Sequence, residues 1–249
     1  MKTRIMNIFS YISDILKDIH FDMWVYFRHR DESYYECGDN QSNYYTDFIE
    51  SNVDYLRMSV DHVLDEYFYI PEFFDQKIES IRLRRYINNE EENRIFMIVK
   101  LPDNIINDNL IREVIVFIFR EDKVVNELYE RIKNIIYKNF KVESSFVIDK
   151  QRSKYTLFEE LHTIDNHQQG SSLRITVDKI NRVIDISKNK DLTNLLPSTL
   201  IIEFERPYYG WSEQAEQQYS EVTSRIIGVM KKNDILRKNK SKFCNIIQF

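Results

Sequence analysis

Residues 94–101, Arg-Ile-Phe-Met-Ile-Val-Lys-Leu, decide the fold class of this chain. They form a short, mostly apolar run rich in residues that favour strands. A second strand-like run lies at 77–87, and only a polar segment containing Asn88, Asn89 and three glutamates separates the two. Two such runs around a polar break are typical of a β-hairpin with a solvated tip. The sequence therefore predicts an antiparallel sheet at the centre of the protein.

Apolar patterns on both sides of this hairpin predict further strands and several helices. The predicted strands cover residues 21–28, 113–119, 145–148, 173–177, 182–187 and 199–205. The predicted helices cover residues 5–19, 46–67, 124–139 and 212–230, with one or two helical turns at 154–161. Residues 30–43 are polar and predict a loop.

The order of these elements predicts an α+β protein, because strands and helices do not alternate strictly as they do in a doubly wound sheet. No linker rich in proline, glycine or serine divides the chain. We therefore expect a single domain over residues 1–249, with a twisted, mainly antiparallel central sheet flanked by helices. The basic stretch at 232–249 predicts an irregular tail.

Composition restricts the classes of partner. The chain has 249 residues, a net charge of −5 and 30% charged residues. Negative charge opposes strong binding to nucleic acid or to an anionic membrane. Two cysteines, Cys37 and Cys244, are too few for a disulfide scaffold, and no apolar run approaches the ~20 residues of a membrane-spanning helix. A soluble, cytosolic protein is expected.

One acidic pattern is compatible with a metal-dependent nuclease. Asp103 follows one predicted strand, and Glu121-Asp122-Lys123 follows the next. Such a site needs an acid and a Glu-x-Lys pair close together, to hold a divalent cation and polarise water. If the two strands pair antiparallel, however, their ends lie at opposite edges of the sheet, roughly 20 Å apart. Solvated charges at strand ends are the preferred interpretation.

Three further side chains are candidate zinc ligands, namely His162, Asp165 and His167. Their spacing does not place both imidazoles on one face of a helix, as i, i+4 would. With four glycines in the whole chain, a glycine-rich phosphate loop is hard to build. We therefore predict no catalytic, cofactor-binding or metal-binding residue, and a protein that works by binding and not by catalysis.

Two surface features are candidate contact sites. Tyr208, Tyr209 and Trp211 surround Gly210 and form either a binding hot spot, a membrane anchor or a simple cap on the edge of the core. The basic tail after Lys231 either contacts phosphates and lipid headgroups or is solvated.

Four segments together resemble the pore-forming N-terminal domain of the gasdermin family. They are the amphipathic first helix followed by an aromatic strand, the strand at 94–101, the stretch from Leu196-Pro197-Ser198 to Arg206, and the last residues, 245–249. The resemblance implies a gasdermin-like fold in which the first helix, here with Lys2, Arg4 and Lys17, contacts a partner or a membrane. Asp14 and Asp18 offset those cations, and three acids lie in the neighbouring loop at 30–36.

The resemblance implies a non-enzymatic, gasdermin-like viral modulator of innate immunity, as a poxvirus would encode. Such a protein would interfere with caspase-driven pyroptosis, and its partner would be an inflammatory caspase or a host gasdermin. Asp234 is then the candidate caspase-facing residue. The alternatives are a membrane-binding pore former, homo-oligomeric in action, and a bacterial or phage immunity protein whose acidic surface blocks a basic toxin.

Overall fold

The computed structural model describes residues 10–29, 34–37, 42–70, 78, 80–87, 93–101, 104–106, 109–120, 125–164, 167–196, 200–206, 211–232 and 237–238. Within these residues the chain forms one twelve-stranded sheet. The strands are β1 (Asp22–His29), β2 (Tyr34–Cys37), β3 (Arg57–Tyr69), β4 (Ser80–Ile87), β5 (Arg94–Lys100), β6 (Asn104–Ile106), β7 (Asn109–Arg120), β8 (Ser144–Ile164), β9 (His167–Asp185), β10 (Lys190–Asp191), β11 (Leu200–Glu205) and β12 (Arg237–Lys238).

The strand order is β1-β7-β5-β4-β3-β8-β9-β11-β2-β12, with β6 beside β7 and β10 beside β9. Every described pair is antiparallel, including the predicted hairpin of β4 and β5. The predicted α+β architecture with a large antiparallel sheet is therefore confirmed.

Helices cover one face of this sheet, which we call the outer face. They are α1 (described from 10 to 15), α2 (Ser42–Asn52), α3 (Val125–Asn139) and α4 (Glu213–Lys232). The apolar sides of α1 and α3 pack on β4, β5 and β7, where Ile12, Ile132 and Phe117 share one core. Those of α2 and α4 pack on β8, β9 and β11, where Ile49 and Ile226 belong to a second core. No helix in the described part of the chain is both long and apolar enough to cross a membrane.

Several predicted elements are wrong. The helix predicted at 46–67 is α2 followed by β3, and the helical turns at 154–161 belong to β8. The two strands predicted at 173–177 and 182–187 are strand in the structure, but they form one continuous strand, β9, which ends at Asp185. The loop at 30–43 contains β2, and the tail contributes β12, which pairs with β2.

The hairpin of β8 and β9 is longer than its neighbours. β3 pairs with β8 only as far as Thr156, and β11 pairs with β9 only from Arg174 to Lys179. Beyond that point β8 and β9 pair with each other, from Phe158 opposite Leu173 to Ile164 opposite His167. The hairpin therefore projects past the rest of the sheet as a two-stranded arm.

The opposite face of the sheet, which we call the inner face, carries no α-helix in the described residues. A short 3-10 helix, Thr193–Leu195, packs at one end of it through Leu192 and Leu196. Asp65, Lys150 and Asp178 point to this face and are almost fully enclosed. Successive side chains of a strand point to opposite faces. Glu66 and Val177 therefore lie on the helix side, where Gln151 and Lys179 are exposed.

Candidate functional site

Charged side chains form a continuous set on the inner face, which we call the charged belt. In β4 they alternate with apolar residues of the outer face, since Arg82 and Arg84 alternate with Ile81 and Leu83. The belt contains Asp61 and Asp65 of β3, Arg82 and Arg84 of β4, Lys150, Arg152 and Lys154 of β8, Arg174 and Asp178 of β9, and Glu203 and Glu205 of β11. These are six cations and five carboxylates.

Lys150 lies at the centre of the belt, between two carboxylates. Its Nζ is 2.7 Å from Asp65 Oδ2 and 3.1 Å from Asp178 Oδ2. Arg84 donates two hydrogen bonds to Asp65, at 2.7 and 2.8 Å, and Arg152 donates two to Asp178, at 2.5 and 2.6 Å. Both arginine pairs have the bidentate geometry that makes such bonds strong and directional.

Towards the projecting hairpin the belt opens to solvent. Arg174 pairs with Glu205 at 2.7 Å, and Lys154 pairs with Asp61 at 2.6 Å. The exposed fraction of the cationic side chain falls from 32% at Arg174 and 25% at Lys154 to 6% at Arg152 and 2% at Lys150. Past Lys150 the inner face becomes apolar, with Ile148, Phe146 and Val183. The charged belt is therefore most exposed to solvent at the end that lies nearest the projecting hairpin.

The ionisation of the belt follows from its ion pairs. Burial alone would raise the pKa of Asp65, but Arg84, Lys150 and Arg82 more than offset this effect and hold that pKa well below its usual range. Tyr86 lies on the same face, where burial raises its pKa while Arg84, Lys154 and Arg152 lower it, and the net shift is downward. A lowered tyrosine pKa indicates a positive local potential.

Two polar groups of the inner face have no partner in the described residues. Arg82 donates from Nη1 to the hydroxyl of Tyr67 at 2.9 Å, but its Nε makes no hydrogen bond there. The Oγ1 of Thr176, which lies in β9 between Arg174 and Asp178, is also buried without a partner among these residues. Buried polar groups in proteins are usually satisfied.

A metal centre is not preformed in the described residues, because no three His, Cys, Asp or Glu side chains among them converge in a way that could hold an ion. His162 and His167 lie on β8 and β9, on either side of the hairpin turn, and not on a helix; Asp165 lies outside the described residues.

The two strands that precede the acidic residues of the nuclease pattern are β5 and β7, and they pair antiparallel. Lys100, at the end of β5, lies opposite Val114, whereas Arg120, at the end of β7, lies opposite Arg94. The two strand ends are thus six residues apart along β5, roughly 20 Å. Asp103 and residues 121–123 themselves lie outside the described residues.

The predicted contact residues are placed only in part. Trp211 is 8% exposed and packs in the core under α4, which is the core-edge interpretation of the aromatic turn. Lys17 is exposed, just after α1. Lys2, Arg4, Tyr208, Tyr209 and Asp234 lie outside the described residues, and their roles stay predictions.

Sequence reasoning missed the charged belt altogether. One signal was present, because Lys150, Arg152 and Lys154 alternate at a period of two, as do Glu203 and Glu205. A period of two marks one face of a strand. Charged residues at that period are normally assigned to solvent, and the helical turns predicted at 154–161 hid the strand that carries three of the cations.

Comparison with known proteins gives similarity of fold only. No protein-family profile and no curated protein sequence matches the chain. Among solved structures, HpAC1 of Hippeastrum, described as having a dominant triphosphatase activity, is similar over 90% of this chain and 95% of its own, with a TM-score of 0.44 and 10% identity. The RNA triphosphatase domain of the mimivirus mRNA capping enzyme is similar over 88% and 96%, with a TM-score of 0.44 and 11% identity. A chain of the Schizosaccharomyces pombe Mediator head module is similar over 87% and 100%, with a TM-score of 0.45 and 9% identity.

The gasdermin resemblance is wrong, because the solved structures just described include two triphosphatases and no gasdermin. Of the segments that carried it, 94–100 lies in β5 and 200–205 in β11, whereas 245–249 lie outside the described residues. The expectations of a gasdermin-like fold, of interference with caspases and pyroptosis, and of a protein that is not an enzyme are contradicted with it.

Proposed function

We propose that the charged belt binds the phosphate chain of a triphosphate compound and hydrolyses its outer phosphoanhydride bond. The observation that carries this proposal is the row of three cations at alternate positions of β8, Lys150, Arg152 and Lys154, all on the buried inner face. Arg82 and Arg84 of β4 extend the same row across β3. These side chains, and not the similarity to solved structures, support the proposal.

The spacing of the row suits a chain of phosphates. Alternate residues of a strand are about 6.6 Å apart, so the three cations of β8 span about 13 Å. Arginine and lysine bind phosphate oxygens through charge-assisted hydrogen bonds, and arginine can do so with two bonds. A carboxylate now occupies each of these sites, since Asp65 and Asp178 hold Arg84 and Arg152. Phosphate oxygens, which are also anionic acceptors, would take over part of these bonds.

The carboxylates nearest the exposed end of the charged belt supply a group that accepts the proton of the attacking water. Glu203 lies 3.5 Å from Arg152, and Glu205 pairs with Arg174. In the proposed step a water oxygen bonds to the outer phosphorus, and the bond from that phosphorus to the bridging oxygen breaks. The remaining phosphate chain leaves with the bridging oxygen, and the proton of the water passes to Glu203. The cations stabilise the charge on the transferred phosphoryl group and on the leaving group.

The first experiment measures binding of inorganic tripolyphosphate by calorimetry and release of phosphate, with Mg²⁺, with Mn²⁺ and with a chelator. We expect Arg174→Gln to weaken binding about tenfold or more, because it removes a charge at the entrance of the belt. Arg182→Gln is the matched control. Arg182 also lies on β9 and pairs with a carboxylate, Asp191, at 2.8 Å, but it is exposed and lies away from the belt.

Two results would contradict the proposal. One is wild-type protein that neither binds tripolyphosphate nor releases phosphate from it at millimolar concentration. The other is an equal effect of Arg174→Gln and Arg182→Gln. Parallel assays with ATP and with RNA carrying a 5′-triphosphate identify the compound that bears the phosphate chain. The net charge of −5 favours the smaller one.

A cytosolic location is part of the proposal. Its support is the low cysteine content, Cys37 and Cys244 alone, which a reducing compartment favours.

A further inference from the structure

Thr176 differs from the charged residues of the inner face because the only polar atom of its side chain makes no hydrogen bond among the described residues. Its side chain is 1% exposed, and Oγ1 finds no hydrogen-bond partner among the described residues. Buried Thr223 in α4 shows the usual situation, since its hydroxyl donates to the carbonyl oxygen of Tyr219 at 2.8 Å. The free hydroxyl of Thr176 therefore calls for a physical reason.

An unpartnered hydroxyl in this position destabilises the fold. Burying such a group without a hydrogen bond lowers the stability of the folded state, because the group loses its bonds to water and gains none. Valine has nearly the same shape without the polar atom, and the neighbours Ile175 and Val177 are aliphatic. If stability of the fold were the only requirement, valine would be the better residue at position 176. A partner from outside the chain explains why a hydroxyl is present.

The register places Thr176 at the level where a phosphate would enter. Thr176 lies opposite Lys154 of β8 on one side and opposite Glu203 of β11 on the other. Lysine only donates hydrogen bonds, an ionised carboxylate only accepts them, and a hydroxyl does both. A ligand held by Lys154 is anionic, and its oxygens accept.

We infer that Thr176 is a ligand-contacting residue, whose hydroxyl donates a hydrogen bond to a phosphate oxygen bound at Lys154. This inference rests on the proposed function of the charged belt and deepens it by assigning a specific contact within it. In the free protein the hydroxyl is unsatisfied, and the bound phosphate satisfies it.

The test compares Thr176→Val with Thr176→Ser, using inorganic tripolyphosphate as the probe. Thr176→Val should leave the midpoint of urea unfolding unchanged or raise it, because it removes a buried unsatisfied group. The same change should weaken tripolyphosphate binding about ten- to a hundredfold, the usual effect of losing one hydrogen bond to a charged group. Thr176→Ser keeps the hydroxyl and should bind within about threefold of the wild-type protein.

A ligand contact differs from a structural role because Thr176→Val then weakens tripolyphosphate binding without lowering the midpoint of urea unfolding. If Thr176→Val lowers both the unfolding midpoint and the affinity, the hydroxyl has a partner inside the protein and the inference is overturned. Wild-type affinity in Thr176→Val overturns it as well, while the function proposed for the belt stands. If the wild-type protein does not bind tripolyphosphate at all, both fail together.

Discussion

A single lysine joins three strands at the centre of the charged belt. Lys150 of β8 contacts Asp65 on β3 and Asp178 on β9, the two strands that flank its own. Each carboxylate also accepts two hydrogen bonds from an arginine. Because these charges are out of contact with water, removing one partner leaves the others without compensation.

Asp65→Asn should therefore lower the free energy of unfolding by about 3–5 kcal/mol, since Arg84 and Lys150 lose their common counter-ion. Urea denaturation measures this change. Asp191→Asn is the control, because Asp191 pairs with Arg182 at the surface, where solvent screens the pair and it contributes little to stability. Comparable losses in the two variants would show that the central pairs do not differ energetically from surface pairs.

At the level of single residues, the sequence predicted the core better than the site. Ile12 and Ile132 lie in helices that the sequence predicts, α1 and α3, and both are buried. Asp65 and Lys150 were not expected to be buried, because charged residues rarely are unless they are paired, and a pairing across strands depends on a register that no sequence pattern reveals.

Among the secondary-structure elements, β3 shows why one helix prediction failed. Val60, Val63, Leu64 and Tyr67 have the spacing of a helix face, yet they lie on a strand. A strand covered on one side only shows an alternation of apolar and polar residues. In β3 the inner side is buried but charged, so the alternation was lost and an accidental helical period remained.

The helices α3 and α4 were predicted correctly, because only one side of each is buried and that side is apolar. Each packs a single apolar side on the sheet and turns the other to solvent, so the period of 3.6 residues survives in the sequence. Ser212 precedes α4 and caps it, because its Oγ accepts a hydrogen bond from the backbone N–H of Ala215 at 3.3 Å.

Ser212→Ala should lower the free energy of unfolding by about 1 kcal/mol, because it removes this cap while the first-turn N–H groups stay unpaired. Ser224→Ala in the same helix is the matched control. Ser224 is exposed in the helix interior, where alanine is the better helix former, so this change should be neutral or slightly stabilising. Equal effects in thermal unfolding would contradict a capping role for Ser212.

On the scale of the whole molecule, the arm formed by β8 and β9 is separable from the sheet. Past Phe158 and Leu173 its two strands pair only with each other among the described residues. The charged belt ends before this point, at Arg174 and Lys154. Neither the core nor the proposed site thus depends on the tip.

Replacing residues 160–171 by Asn-Gly should change the unfolding free energy and the affinity for tripolyphosphate only slightly. Glu159 and Ser172 are directly paired, and Asn-Gly closes a two-residue hairpin with the right twist. Circular dichroism and calorimetry measure the two quantities. A protein that no longer folds would show that the arm packs elsewhere, and one that folds but no longer binds would extend the binding surface onto the arm.

The charged residues on the inner side of β8 and β9 also determine which misaligned pairings of these strands are unfavourable. A shift of β9 by one residue against β8 would turn Asp178 towards the helices and bring Val177 opposite Arg152, leaving both charges buried and alone. An all-aliphatic sheet of this size would tolerate many such shifts at small cost. Here a shift by one residue is penalised electrostatically, so the same charges that suit a polyanionic ligand also help to fix the register of β8 and β9.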